Sequence, residues 1–267
     1  MNRDTKALEG LVDLHCKELK LSGLRSGYRE LAREALDKGI TPIQFLLSCL
    51  ELEYTVRQQN RLGNHMKAAK FPVVKTLDAF DFMVIPNVPK AKILQLADGD
   101  FIRQRENVIF LGPSGTGKTH CGIALGVAAL EAGYRVRFIR AVTLAQELLL
   151  AQQEVRLNRY MKSWHKFDLV ILDELGYLGL GPGGPLLFQF VTERYETTGS
   201  ILLTTNLEFS RWEEVFGDVA LTTALLDRLT HRSHIVAFQG ESYRFRESRQ
   251  RQKENLVTST IKAIEPE

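Results

Sequence analysis

The stretch that decides the fold runs from Val108 to His120. It reads Val108-Ile109-Phe110-Leu111, then Gly112, Pro113, Ser114, Gly115, Thr116, Gly117, Lys118, Thr119 and His120. The four apolar residues predict a short buried strand, and Thr119 to Glu131 predicts a helix that stops at Gly133. Between them lies the full spacing of a phosphate-cradling loop: Gly, four residues, Gly, Lys, Thr. Glycines let successive backbone N–H groups curl around phosphate oxygens, and the helix start adds partial positive charge. Lys118 is placed for the β- and γ-phosphates, and the Thr119 hydroxyl for a Mg²⁺ shell. Residues 112–120 therefore predict ATP with Mg²⁺ as the ligand pair.

Outward from this loop the chain alternates between strand and helix patterns. Arg135–Arg140, Leu169–Leu172 and Ile201–Thr205 read as strands; Thr143 to about Lys166, Pro185–Thr198 and Val219–Leu229 read as helices. Such alternation predicts an α/β fold with a mostly parallel sheet flanked by helices. Two strands end in polar residues. Phe167 to Leu172 leads into Asp173 and Glu174, where Asp173 suits a Mg²⁺-linked carboxylate and Glu174 a general base that polarises water. A kinase that must exclude water has no use for that glutamate. Ile201–Thr205 ends in Asn206, which would reach the γ-phosphate side if its strand lies beside the Asp173 strand.

Upstream, residues 1–71 read as a small helical domain, 72–105 as a connector with turn signals, and 106–267 as the nucleotide-binding domain with a basic C-terminal tail. Thr41 and Pro42 mark a helix start, followed by Phe45, Leu46, Cys49, Leu50 and Leu52 as an apolar stripe. Further along that helix Arg57, Arg61 and His65 share one face. Two readings stay open for it: a solvated helix end and a nucleic-acid-facing surface. The net charge of +3 permits a polyanionic partner without demanding one. Three cysteines with no CxxC pair argue against a disulfide framework or a zinc site. No apolar run is long enough for a membrane helix, and the N-terminus has no signal-peptide pattern, so a cytoplasmic protein without a membrane partner is expected.

Taken in order, GPSGTGKTH, FDLVILDELGYL, ILLTTNLEFSRWEEVFGD, ALLDRLTHRSHIV and GESYRFRE resemble the AAA+ ATPases, and most closely the IstB-like helpers of insertion-sequence transposition, related to the DnaC helicase loaders. LKLSGLRSGYRELA and KTLDAFDF extend the resemblance over nearly the whole chain. It implies an ATPase that assembles on duplex DNA as an ATP-dependent homo-oligomer and regulates a cognate transposase. The alternative is a loader of a replicative helicase. By the same resemblance Asn206 takes the first sensor position, Arg244 the second, and Arg228 an arginine finger acting on a neighbouring subunit, with Arg232 as the other candidate. Glu154–Lys166 falls where the family carries an extra basic helix facing DNA, which implies phosphate contacts from Arg156, Arg159 and Lys162, helped by Arg57 and Arg61.

Overall fold

The computed structural model describes residues 3–82, 88–176, 179–197, 199–240, 242, 243 and 245. The chain divides into two units, Met1–Asn64 and His65–Glu267. The first is built from α1 (Arg3–Glu18), α2 (Ser22–Lys38) and the start of α3 (Pro42–Ala69). Thr41 and Gln44 close the α3 N-terminus reciprocally: Gln44 N donates to Thr41 Oγ1 at 3.4 Å, and Thr41 N to Gln44 Oε1 at 3.0 Å. That capping box satisfies amides the helix itself cannot. α2 is tied to α1 by Tyr28 Oη donating to the Glu9 carbonyl at 3.1 Å and by Arg29 reaching Glu9 and Asp13. The apolar stripe expected on α3 is divided. Cys49 is buried, but Leu46 and Leu50 are exposed.

The second unit holds α4 (Lys90–Ala97), α5 (Asp100–Arg103), β1 (Asn107–Leu111), α6 (Lys118–Glu131), β2 (Val136–Arg140), α7 (Ala141–Gln153), α8 (Leu157–Lys162), β3 (Leu169–Leu175), α9 (Gly184–Thr197), β4 (Ser200–Thr205), α10 (Glu213–Phe216), α11 (Val219–Thr230) and β5 (Ser233–Ala237). The strands form one sheet in the order β2-β3-β4-β1-β5, every pair parallel. β1, β3 and β4 are buried almost throughout, because helices cover both faces of a parallel sheet and leave no side for polar alternation. This is the α/β sheet flanked by helices, preceded by a helical segment, that the sequence predicts.

Three local features differ from the sequence reading. The connector contains α4 and α5, which bury Ile93, Leu96, Phe101 and Ile102; their short apolar spacing was hidden among turn residues. β5 begins with Ser233 and His234 and buries only Val236 closely, so its polar start masks an edge strand beside β1. The long helix expected from Thr143 to Lys166 breaks at Glu154–Arg156. There Val155 has φ +53°, Val155 N donates to the Gln152 carbonyl and Arg156 N to the Ala151 carbonyl. That is a left-handed helix closure, made without the glycine that usually announces one. Among the described residues no helix is long and apolar enough to cross a membrane.

Candidate nucleotide site

β1 delivers the chain to Gly112 at the carboxyl edge of the sheet, and α6 leaves from Gly117. Two glycines in between are dictated by crowding. A Cβ on Gly112 (φ +152°) would lie 2.0 Å from the Phe238 carbonyl oxygen, and one on Gly115 (φ +78°) 2.0 Å from Ser242 Oγ. The segment after β5 thus lies directly on the loop, and Tyr243 N donates to the Gly115 carbonyl at 2.9 Å. Thr116 is buried and its hydroxyl donates to the Pro113 carbonyl at 2.8 Å. Lys118 Nζ donates to the carbonyls of Gly112 at 2.6 Å and Pro113 at 2.7 Å, which holds its cation at the loop. Ser114 lines the cavity beside them.

The end of β3 is wired to this loop and to β4. Asp173 Oδ1 accepts from Thr119 Oγ1 at 2.8 Å and from Thr204 Oγ1 at 2.6 Å. Thr204 Oγ1 also accepts the Glu174 amide at 3.0 Å. Burial pushes the Asp173 carboxyl above its usual range; the two hydroxyl donors pull the other way but do not cancel it. Glu174 has φ +60° and lies where the β3–β4 register shifts, between Leu172 and Leu175. This kink turns its side chain into the cavity, where its carboxylate lies 3.4 Å from Arg140 Nε at the end of β2. β4 does pair with β3, and Asn206 follows it with Oδ1 buried and accepting no hydrogen bond from the described residues.

These groups share a cavity of about 540 Å³ lined by Lys118, Thr119, His120, Asp173, Glu174 and Asn206 among others. His120 faces the connector: its Nε2 is 3.1 Å from the Thr76 carbonyl and its ring centroid 5.0 Å from that of Phe80. Burial pulls the His120 pKa down, which favours the neutral ring. Residue-by-residue reading did not single out Lys75, Phe80, Asp81, Arg140, Thr204 or Tyr243, all of which line the same cavity. Thr204 left a signal, a hydroxyl inside an otherwise apolar strand end. Cys121, 0% exposed with its thiol pushed up to about 12 by burial, fills core.

Arg228 and Arg232 do not line the cavity. Arg228, on α11, donates to the Ala224 carbonyl at 2.9 Å and its guanidinium lies 5.2 Å from the Phe188 ring centroid. Arg232 is exposed just past that helix. Arg244 falls outside the described residues. In the first unit Arg57 donates to Glu53 at 2.6 Å and to the Lys20 carbonyl at 3.1 Å. Burial alone would raise the Glu53 carboxyl, but Arg57 and the Leu24 amide outweigh it and hold the pKa low. Arg57 is therefore engaged in holding α3 to the α1–α2 turn, while Arg61 is exposed. Arg159 and Lys162 are exposed on α8, and Arg156, exposed just before it, pairs with Glu154.

The family model for IstB-like ATP binding proteins matches residues 14–251. The chain is 40% identical over 236 residues to the ATP-binding protein of insertion sequence IS5376 from Geobacillus stearothermophilus, covering 88% of this chain and 94% of that one. It is 41% identical over 239 residues to the ATP-binding protein of insertion sequence IS21 from Pseudomonas aeruginosa, covering 89% and 90%. Among solved structures, AMPPCP-bound DnaA from Aquifex aeolicus superposes with a TM-score of 0.52 at 22% identity, over 67% of this chain and 55% of that chain, a likeness of fold. With a phosphate-loop site at the carboxyl edge of a five-stranded parallel sheet and relatives at this identity along nearly their full length, the chain belongs to the IstB-like ATP-binding protein family.

Proposed function

We propose that this chain is an ATPase that assembles on duplex DNA when ATP is bound and regulates the transposase of an insertion sequence. The observation that carries the catalytic part is the position of Glu174: a carboxylate turned into the cavity by a left-handed residue, next to the Asp173–Thr119 pair. The donor set fits Mg²⁺-ATP. Crowding at Gly112 and Gly115 keeps the loop backbone bare, Lys118 brings a cation, and Asn206 Oδ1 is a buried acceptor in want of a donor. Thr119 and Asp173 would hold the metal, a hydroxyl and a carboxylate being the usual protein share of a Mg²⁺ shell. Bound Mg²⁺-ATP supplies the γ-phosphoryl group and its charge compensation. Glu174 accepts the proton of the attacking water, Asn206 orients that water, and Arg140 places the Glu174 carboxylate. Arg228 and Arg244 complete the charge stabilisation, Arg228 from a neighbouring copy. Arg156, Arg159 and Lys162 contact DNA phosphates, helped by Arg57 and Arg61.

The names of the relatives support an insertion-sequence context, and hence a transposase partner. The test is phosphate release from ATP with no added acceptor, with and without duplex DNA, alongside sedimentation of the chain on that duplex. Hydrolysis stimulated by DNA, with assembly that requires ATP, is expected. Turnover that needs a small-molecule acceptor, or duplex binding indifferent to nucleotide, would overturn the reading.

A further inference from the structure

Five non-glycine residues among those described have positive φ: Lys20, Lys70, Arg105, Val155 and Glu174. Val155 alone is apolar and branched at Cβ, the side-chain type for which this backbone region is most strained. It is also 94% exposed, so no packing offsets the strain. The closure that ends α7 would form with less strain around glycine or asparagine. Backbone and hydration thus both disfavour valine at this tip. Strain that persists at an exposed position points to a side chain used outward.

The surroundings of the tip indicate what it meets. Residues 154–162 carry Arg156, Arg159 and Lys162 against a single carboxylate, Glu154, which is paired with Arg156. Arg156, Asn158, Arg159 and Lys162 are all exposed. On the preceding turn of α7 the exposed apolar neighbour is Leu150, 48% exposed. A protein interface needs a contiguous apolar centre with few charges, and one valine and a half-exposed leucine followed by three cations do not provide it. Duplex DNA fits both halves of the pattern: cations for phosphates, and an apolar tip for the sugars and base edges of the groove between them.

We propose that Val155 is an apolar groove contact, set into the duplex by the closure between α7 and α8 while Arg156, Arg159 and Lys162 hold the flanking phosphates. This rests on the DNA-binding reading above. The test compares the full chain with ATP, as wild type and as Val155→Gly, Val155→Asn and Val155→Leu, on an end-labelled duplex whose bend is read by energy transfer. The glycine and asparagine variants should bind about tenfold more weakly and bend the duplex less, while Val155→Leu restores both. Their log–log salt slope should match wild type, since no phosphate contact is lost, whereas Arg159→Ala should flatten it by about 0.9. Their melting temperature should equal or exceed that of wild type. If the glycine and asparagine variants bind and bend like a wild type that does bind duplex, the inference falls and the DNA reading stands. If wild type binds no duplex with any nucleotide, the DNA reading itself fails and takes the inference with it. Loss of ATP-dependent self-association without DNA, or a clear drop in melting temperature, would assign Val155 to a protein contact instead.

Discussion

Replacing Asp173 with Asn should stabilise the nucleotide-free chain and abolish its response to Mg²⁺-ATP. Asp173 is 2% exposed, and the hydroxyls of Thr119 and Thr204 both donate to its Oδ1. An amide oxygen can accept both, and the amide nitrogen replaces Oδ2 on the cavity side. The change removes a desolvated charge, at the cost of turning two charge-assisted hydrogen bonds into neutral ones. The raised pKa says desolvation dominates that balance, and single stabilising substitutions of this kind contribute about 0.5–2 kcal/mol. At about 2–4 °C per kcal/mol for a domain of this size, the melting temperature should rise by about 4 °C at pH 7. The sign depends on pH. A carboxyl whose folded pKa is raised destabilises the fold only once it ionises, so the deficit grows as pH climbs from the unfolded value of 3.8 through the folded pKa and is complete above it. The advantage of Asn should therefore be largest at neutral pH and vanish near pH 4. Differential scanning fluorimetry over that range, with and without Mg²⁺-ATP, reads both effects. A variant that melts below wild type at pH 7 would show that the two hydroxyl bonds outweigh desolvation. A variant that keeps the full Mg²⁺-ATP shift would remove Asp173 from the metal site.

Glu174→Gln should still bind ATP but hydrolyse it at least a hundredfold more slowly, because the amide cannot accept the water's proton; turnover within a few fold of wild type would exclude that role. Arg228→Ala should keep ATP affinity and lose about 10³-fold or more in hydrolysis, as removal of an arginine finger does elsewhere. Mixing it with Glu174→Gln should restore some turnover, since each variant can complete the other's interface. If only Arg232→Ala restores turnover in such a mixture, Arg232 is the finger. Arg194→Ala should cost about 3 kcal/mol, or about 10 °C. The Arg194 side chain is 3% exposed and donates to the carbonyls of Trp164, Phe167, Asp168 and Ser200, while burial pulls its pKa to about 10. A melting shift under about 2 °C would mean that those carbonyls find other donors.

The parts of the fold legible in the sequence are those in which one local rule acts alone. The β1 run, the loop and α6 carry an apolar strand, obligatory glycines and a helix start in one continuous stretch, and all three are found where the spacing puts them. The helix start at Thr41 and Pro42 is equally local. What stayed hidden is set by partners distant in sequence. β5 becomes a strand because β1 offers it an edge, with Asn107 paired to Ser233 across more than a hundred residues. Arg194 looks like a surface cation at a helix end until the fold brings four carbonyls around it. Arg140 reads as an edge-strand charge, and only the β2–β3 register sets it opposite Asp173, within reach of Glu174. Val155 is invisible for the opposite reason: a helix closure normally signalled by glycine is here made by a residue that local rules disfavour.

The polar groups of the cavity share a physical character that bears on how ATP would act. Asp173 is a carboxylate raised in pKa by burial, Glu174 holds a left-handed backbone, and Asn206 keeps a buried oxygen without a donor. Each feature destabilises the chain by itself, and all three converge on one cavity beside Lys118. A single bound polyanion with its cation would neutralise the first, and the water held against it would give the third a donor, through contacts that reach β1, β3 and β4 at once. Ligand binding of this kind raises the stability of the whole sheet in proportion to the logarithm of occupancy. Arg228, by contrast, gains nothing from nucleotide bound in its own chain, since it is docked on Ala224 and Phe188 and does not line the cavity. If it acts on phosphate, it does so in another copy. Nucleotide would then first consolidate each subunit and only afterwards make the contact between subunits worth forming, which places assembly downstream of binding and hydrolysis downstream of assembly.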